Sequence, residues 1–350
     1  MDNRELGQRA SLIESLTPNV KSSSRYMRAQ SLGYMIVMKF KTPMFGVHHQ
    51  PEGRDWDHMK HHAKLVEDSG YDLFTVTDHL MNMANPEGPY NHPLEAWTLL
   101  AGLAAVTEKI RLAPLVSCYG YRRPTVLAKM ATTVDIISGG RLIFGIGAGW
   151  HEAEFKGYMG GFPSVPRRLS GLKETLEIAV GMFSNERFSY DGKMYKVDNV
   201  LNSPQPVQRP VPVMVGGGGE KRTLRYAARW ADISHFFVGD VKSLKHKLGV
   251  LKEHCARERT DFDEIVKGTT FRVVLGSESE INEKMEARGK EYHLPVEPMR
   301  RRLGAGAGRT HEVADRLKEL FDNGLGLATL SFISGDDIPV FAKEVIPQLR

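Results

Sequence analysis

Residues 121–158 read YRRPTVLAKMATTVDIISGGRLIFGIGAGWHEAEFKGY: helix, tight turn, short apolar strand and glycine-studded loop in succession. Ile136 and Ile137 end the helix, and Ser138, Gly139 and Gly140 supply the turn. Residues 142–146 make a buried strand, and the glycines from Gly147 to Gly149 allow close approach of backbone to a ligand. A loop of this kind, at the carboxyl end of a buried parallel strand, is where α/β barrels keep their chemistry.

Working outward, apolar runs alternate with amphipathic helices at a spacing that predicts parallel βα units. Strands are expected at 44–48, 73–77, 110–117, 142–146, 211–215, 232–237, 270–275 and 327–332. Helices are expected at 57–69, 93–107, 124–137, 165–183, 221–230, 243–259 and 310–323, with a closing helix from Pro339. Eight buried strands in this order predict a (β/α)8 TIM barrel, with insertions after strand four (about 151–210, including a hairpin at 188–200) and strand seven (about 276–309). The second insertion holds Gly304, Gly306 and Gly308 in a run with alanine and is expected to be a mobile cover over the mouth. No G-x-G-x-x-G follows the first strand, which argues against an open dinucleotide-binding sheet.

Composition sets the outer limits. Of 350 residues, 41% are hydrophobic and 25% charged, which suits one large domain. No run of 18 apolar residues exists, so no membrane span is expected. The formal charge is +5, of which residues 1–38 carry +2 (five basic, three acidic). So diffuse a charge excludes a nucleic-acid footprint while favouring an anionic small ligand. Cys118 and Cys255 lie far apart and suggest no disulfide; a reducing cytoplasm is the expected compartment. Residues 1–38 lack sustained periodicity and a signal-peptide core, and are expected to be a flexible or interface arm, with the barrel occupying 39–350.

Several residues carry chemistry. Asp78 and His79 end strand two in FTVTDHL, where polar side chains point into the mouth of a barrel. A histidine there can exchange a proton near neutral pH, while a capping Asp beside a structural His is the plain alternative. His48 and His49 end strand one, and alternation sends one inward and the other outward. His58, His61 and His62 share helical spacing but have no carboxylate or cysteine beside them, so a polar outer face is expected and no metal. Glu152 or Glu154 orients a substrate or pairs with Arg167 or Arg168. Gly216, Gly217, Gly218 and Gly219 lie between a strand and a helix and expose N–H groups for an anion, with Lys221, Arg222 and the Thr223 hydroxyl as added donors. Arg300, Arg301, Arg302 and Arg309 flank the glycine-rich cover as a solvated basic face or a second anion-holding group.

TDHL, RRPTVLAKMATTVDIISGGRLIFGIGAGWHEAEF, PQPVQRPVPVMVGGGG and ARWADI occur in this order over roughly residues 39–350. In that arrangement the chain resembles the bacterial-luciferase-like superfamily of flavin and deazaflavin oxidoreductases, and most of all its deazaflavin (coenzyme F-420) group. The resemblance implies a hydride-transferring oxidoreductase acting on a small organic substrate, with His79 at the reactive face of the cofactor. It implies a strand-three bulge, with a cis bond between Leu115 and Val116, propping the ring from behind. Gly149 and Trp150 would line the ring, and Thr223 would meet its phosphate. The basic run would hold the acidic glutamyl tail that coenzyme F-420 carries. A homodimer is implied as well. Luciferases proper carry cysteine and arginine where Gly147 and Ala148 stand, which counts against light emission. The alternatives are a two-component monooxygenase using reduced flavin mononucleotide (FMN) and a non-catalytic flavin-binding barrel.

Overall fold

The computed structural model describes residues 40–350 except Ala84, Pro89 and Arg302. The arm at 1–38 lies outside the described residues. In chain order the elements begin β1 (Met44–His49), α1 (Trp56–Asp68), β2 (Leu73–Val76), α2 (Ala96–Val106), β3 (Arg111–Pro114), β4 (Ser117–Cys118), α3 (Pro124–Ile137) and β5 (Phe144–Gly147). Then come α4 (Glu152–Met159), α5 (Val165–Ser184), the hairpin β6 (Arg187–Asp191) and β7 (Lys196–Leu201), β8 (Val213–Gly216), α6 (Thr223–Trp230), β9 (Ile233–His235) and α7 (Val241–Glu258). The last third holds β10 (Val266–Leu275), α8 (Glu278–Tyr292), α9 (Val296–Arg300), β11 (Ala307–Gly308), α10 (Thr310–Asp322), β12 (Leu327–Phe332) and α11 (Asp337–Glu344).

The main sheet runs β3-β2-β1-β12-β10-β9-β8-β5-β4, and every pairing along it is parallel. Its two ends meet: Leu112 of β3 donates to Arg141 O (3.1 Å) and accepts from Ile143 N (2.9 Å), closing the cylinder. Segments β3 and β4 are one barrel strand broken at a bulge whose Leu115–Val116 peptide is cis, where the resemblance implied it. The expected (β/α)8 TIM barrel is therefore present, with α3 and β12 at their expected bounds.

Two-residue periodicity fills the cylinder in layers. Met44, Leu73, Ala113, Ile143, Met214, Ile233, Val266 and Leu327, one from each barrel strand, form a single buried apolar ring. Two residues further along the same strands stand Gly46, Thr75, Gly145, Gly216, His235, Gly268 and Thr329. Beyond those come His48, Thr77, Thr270 and Ser331. The interior thus passes from hydrocarbon at the amino ends of the strands to polar groups at the carboxyl ends. A separate, larger apolar shell lies between strands and helices, with Trp97, Phe45, Phe74 and Phe144 fully buried.

Two expectations change. The long loop after strand four contains α4, which brings Glu154 to the mouth. The stretch 276–309 is mostly helix, and its glycine run ends as a strand: Gly306 O accepts from Val274 N at 3.2 Å and Gly308 O from Gly276 N at 3.0 Å. A Cβ on Gly306 would lie 2.3 Å from Arg272 O, so glycine there serves close strand packing rather than a free flap. No helix among the described residues is long and apolar enough to cross a membrane.

Candidate active site

The chain leaves β2 as Thr77-Asp78-His79, and the two neighbours part ways. His79 Nδ1 lies 2.9 Å from Glu154 Oε2, which also accepts from the Tyr121 hydroxyl; Glu154 Oε1 accepts from the amides of Leu80 (2.6 Å) and Met81 (3.0 Å). Glu154 is fully buried in the first turn of α4. Burial alone would raise its pKa, but the hydrogen bonds and charge of His79, with Tyr121 and the Met81 amide, outweigh it and bring the carboxyl down to about 2. A carboxylate on Nδ1 fixes the tautomer and leaves Nε2 of His79 to exchange a proton. Trp150 and His151 stand edge-on to the His79 ring at 5.6 and 5.7 Å, and Trp150 is 61% exposed. Of the two partners left open by the sequence, Glu154 has taken His79; Arg168 instead donates to Pro163 O and lies 4.2 Å over the Phe162 ring.

Asp78, expected beside His79 in catalysis, is enclosed. Arg122 grips it with two bonds of 2.8 and 2.9 Å, and Ser117 Oγ (2.8 Å) and Cys118 N (3.1 Å) donate to the same carboxylate. Trp97 Nε1 donates to Ser117 Oγ at 2.7 Å, extending the network into the helix shell. The acidic partner of His79 is thus Glu154, while Asp78 ties the end of β2 to β4.

Deeper in the mouth, His48 Nδ1 meets Thr75 Oγ1 at 2.9 Å, and burial, then the charges of His79 and Arg272, lower its pKa to about 4. His235 lies 3.1 Å from Thr329 Oγ1 and 3.3 Å from Thr270 Oγ1, with its pKa lowered to about 3 by burial and then by His48. Both rings are neutral at pH 7. Glu52, in the turn after β1, has both carboxyl oxygens buried, close to its own backbone amide and to Thr77 but without a well-formed hydrogen bond. Burial pushes its pKa up; its own amide, then His79, oppose that, the Glu154 charge adds to it, and Thr77 opposes it. The sequence reading missed Glu52 and His235. Glu52 could have been found as the acidic residue just past a strand's carboxyl end; His235 reads like any other short-strand residue.

The glycines around the bulge also serve the packing of the chain itself. Cβ atoms on Gly147 and on Gly216 would each lie 2.7 Å from Val116 Cγ2, and one on Gly145 would lie 1.9 Å from Pro114 O. Gly149, at φ +69°, has no room for a side chain between Cys118 Sγ and the Phe155 ring. These positions make space for the bulge. At the 216–219 loop, Gly217 adopts φ +120° and donates to His235 O at 2.8 Å. Lys247 Nζ anchors the loop through Gly218 O (2.9 Å) and the Glu220 carboxylate (2.6 Å). Helix α6 then starts with no side-chain cap, Leu224 N donates back to Gly219 O at 3.0 Å, and Thr223 Oγ1 sits against Gly219. Arg222 turns away to Tyr226, Ser170 and Pro166 O, which removes it from the expected donor set. Arg300 lies 3.8 Å from Glu297, Arg309 is the residue before α10, and Arg302 falls outside the described residues.

Against known proteins, an uncharacterised protein of Mycobacterium tuberculosis is 33% identical over 183 residues, covering 49% of this chain and 64% of that protein. The chain thus spans less than two-thirds of the length of the curated relatives it matches. Among solved structures, an F-420-dependent secondary alcohol dehydrogenase in complex with an F-420–acetone adduct superposes with TM-score 0.76 at 18% identity, covering 89% of this chain and all of the other. An EDTA monooxygenase from Chelativorans sp. BNC1 superposes with TM-score 0.74 at 18% identity, covering 88% and 93%. At such identities the likeness concerns the fold. The luciferase-like monooxygenase family matches residues 36–342, nearly the whole barrel, and the chain belongs to that family.

Proposed function

We propose that the protein is an oxidoreductase that moves a hydride between coenzyme F-420 and a small organic substrate, with His79 exchanging the accompanying proton. The observation that carries this reading is the placement of His79, with Nδ1 held by buried Glu154 and Nε2 left over, at the mouth beside the Leu115–Val116 bulge. Leu115 N donates to Val76 O at 2.8 Å, tying the bulge to the strand that ends in His79.

The residues present suit a phosphorylated tricyclic ring. Leu115 and Val116 are partly buried apolar groups at the top of the interior ring, fit to back a flat ring system. The 216–219 loop carries no side chains and leads into a helix without a side-chain cap, the kind of place a phosphate takes, with the amides of Gly217 and Leu224 already bonded to His235 O and Gly219 O. A bound deazaflavin would supply a ring carbon that gives or accepts a hydride and resists oxygen chemistry. His79 holds or delivers a proton at Nε2, and Glu154 and Tyr121 position its ring. Trp150, at the rim, is placed to shield the substrate from water. Glu52, with both carboxyl oxygens buried and poorly satisfied, offers an acceptor or donor to a polar group of the substrate. The expected homodimer belongs to the same proposal.

A second reading, an FMN-dependent monooxygenase, is supported by the comparable likeness to the EDTA monooxygenase and by the likeness to a Baeyer-Villiger monooxygenase solved in complex with FMN. Single-turnover mixing of protein, reduced F-420 and a panel of carbonyl and activated-alkene substrates tests the first. Substrate-dependent oxidation of the deazaflavin without oxygen consumption is the expected result. Oxygen-dependent turnover with reduced FMN alone would replace it with the second.

A further inference from the structure

We propose that His49, His58 and His62 form a binding site for one divalent transition-metal ion of the zinc class, on the outer side of β1 and away from His79. One ring nitrogen from each of the three lies within 4.8 Å of the others. His49 Nε2, His58 Nε2 and His62 Nδ1 are all buried and without a hydrogen-bond partner. Three orphaned imidazole nitrogens at one point are costly in a protein interior unless something accepts their lone pairs. Around tetrahedral zinc, nitrogens at about 2.0–2.1 Å from the ion stand roughly 3.3 Å apart, so ligation requires the stacked rings to turn about χ2 until their in-plane lone pairs meet at one ion.

The backbone explains the convergence. Alternation along β1 sends His48 into the barrel and His49 out against α1. His58 and His62 are four residues apart on α1 and share one face of it, beside the buried Met59 and Ala63. Their rings stack at 4.0 Å, and His49 lies 5.4 and 4.8 Å from the two. The expectation of a metal-free polar face considered the helix alone; the third ligand comes from the strand. His61 stands edge-on to His62 at 5.9 Å and is exposed, so it is not part of the set.

The surroundings bear on the ion. Arg54 is paired with Glu291 at 2.8 Å, and the Arg54 and Arg288 guanidiniums lie over the Tyr292 ring at 4.2 and 3.9 Å. Asp55 is committed to capping α1. A nitrogen-only donor set disfavours Mg2+ and Ca2+ and leaves Zn2+, Cu2+, Ni2+ or Co2+, while the nearby guanidiniums weaken any divalent ion alike. An ion there would clamp the loop 50–55, which carries Glu52, between β1 and α1.

The test uses the full chain, free of any histidine tag and stripped with chelator, titrated with Zn2+ by calorimetry and with Co2+ in the visible spectrum. One ion per chain and the d–d bands of nitrogen-coordinated Co2+ are expected. His58→Gln with His62→Gln, and separately His49→Gln, should each weaken binding by more than about tenfold, while His61→Gln stays within about twofold. Circular dichroism checks that each variant is folded, and single His62→Gln replaces any that is not. Absence of a saturable equivalent, or one that survives loss of His58 and His62, overturns the proposal.

Discussion

Glu154 accepts from His79, the Tyr121 hydroxyl and two backbone amides at once, and this sets how single side chains should behave. Its pKa of about 2 lies below the ordinary 4.5, so the folded state prefers the charged form. That stabilisation is complete above pH 4.5 and is lost as pH falls toward 2. On the order of 3 kcal/mol is at stake. Wild-type stability by denaturant titration should therefore fall between pH 4.5 and 2.5 more steeply than that of Glu154→Gln; parallel curves would refute the assignment. His79→Ala should lower turnover by about 100-fold or more while cofactor affinity changes less than about threefold, read by stopped-flow and fluorescence titration. Tyr121→Phe, which removes one donor to a charged acceptor, should cost about 2 kcal/mol of stability. The place of His79 at the mouth was legible because residues at a barrel strand's carboxyl end point there. Glu154 was legible as a candidate too, but its pairing with His79 was not, because it lies 75 positions away and Asp78 was next door.

The bulge between β3 and β4 and the glycines around it form one packed unit. Strand existence was plain from the apolar runs, and β12 and α3 fell at their expected bounds, since long periodic segments with clear breakers leave little choice. Helix α4 was missed because its eight residues, with Gly157 inside, show little apolar periodicity. The glycine spacing was visible, but its reason was not: the atoms filling the space of Gly147 and Gly216 belong to Val116, from another strand. Gly216→Ala should destabilise by about 1–3 kcal/mol, and Val116→Ala in the same chain should restore much of it. Gly145→Ala should cost more and resist that rescue, because its clash is with the backbone carbonyl of Pro114. Additive losses in the Gly216–Val116 pair, measured by urea denaturation, would show that the two do not share space.

Across the whole molecule, polarity grows from one end of the cylinder to the other, from the ring of Met44 and Leu327 to the histidines, threonines and carboxyls at the mouth. That gradient confines reaction chemistry to one face and leaves the other to stability. Alternation made it readable strand by strand, yet His235 emerges only when the strands close. The central claim, that this mouth holds a deazaflavin, is tested most directly by titrating the purified cofactor-free chain with coenzyme F-420 and, in parallel, with oxidised and reduced FMN. Saturable one-to-one binding of F-420, weakened by side chains introduced at Gly218 and Gly219 and little affected by His79→Ala, is the predicted result. Tight binding of FMN with none of F-420 would contradict it.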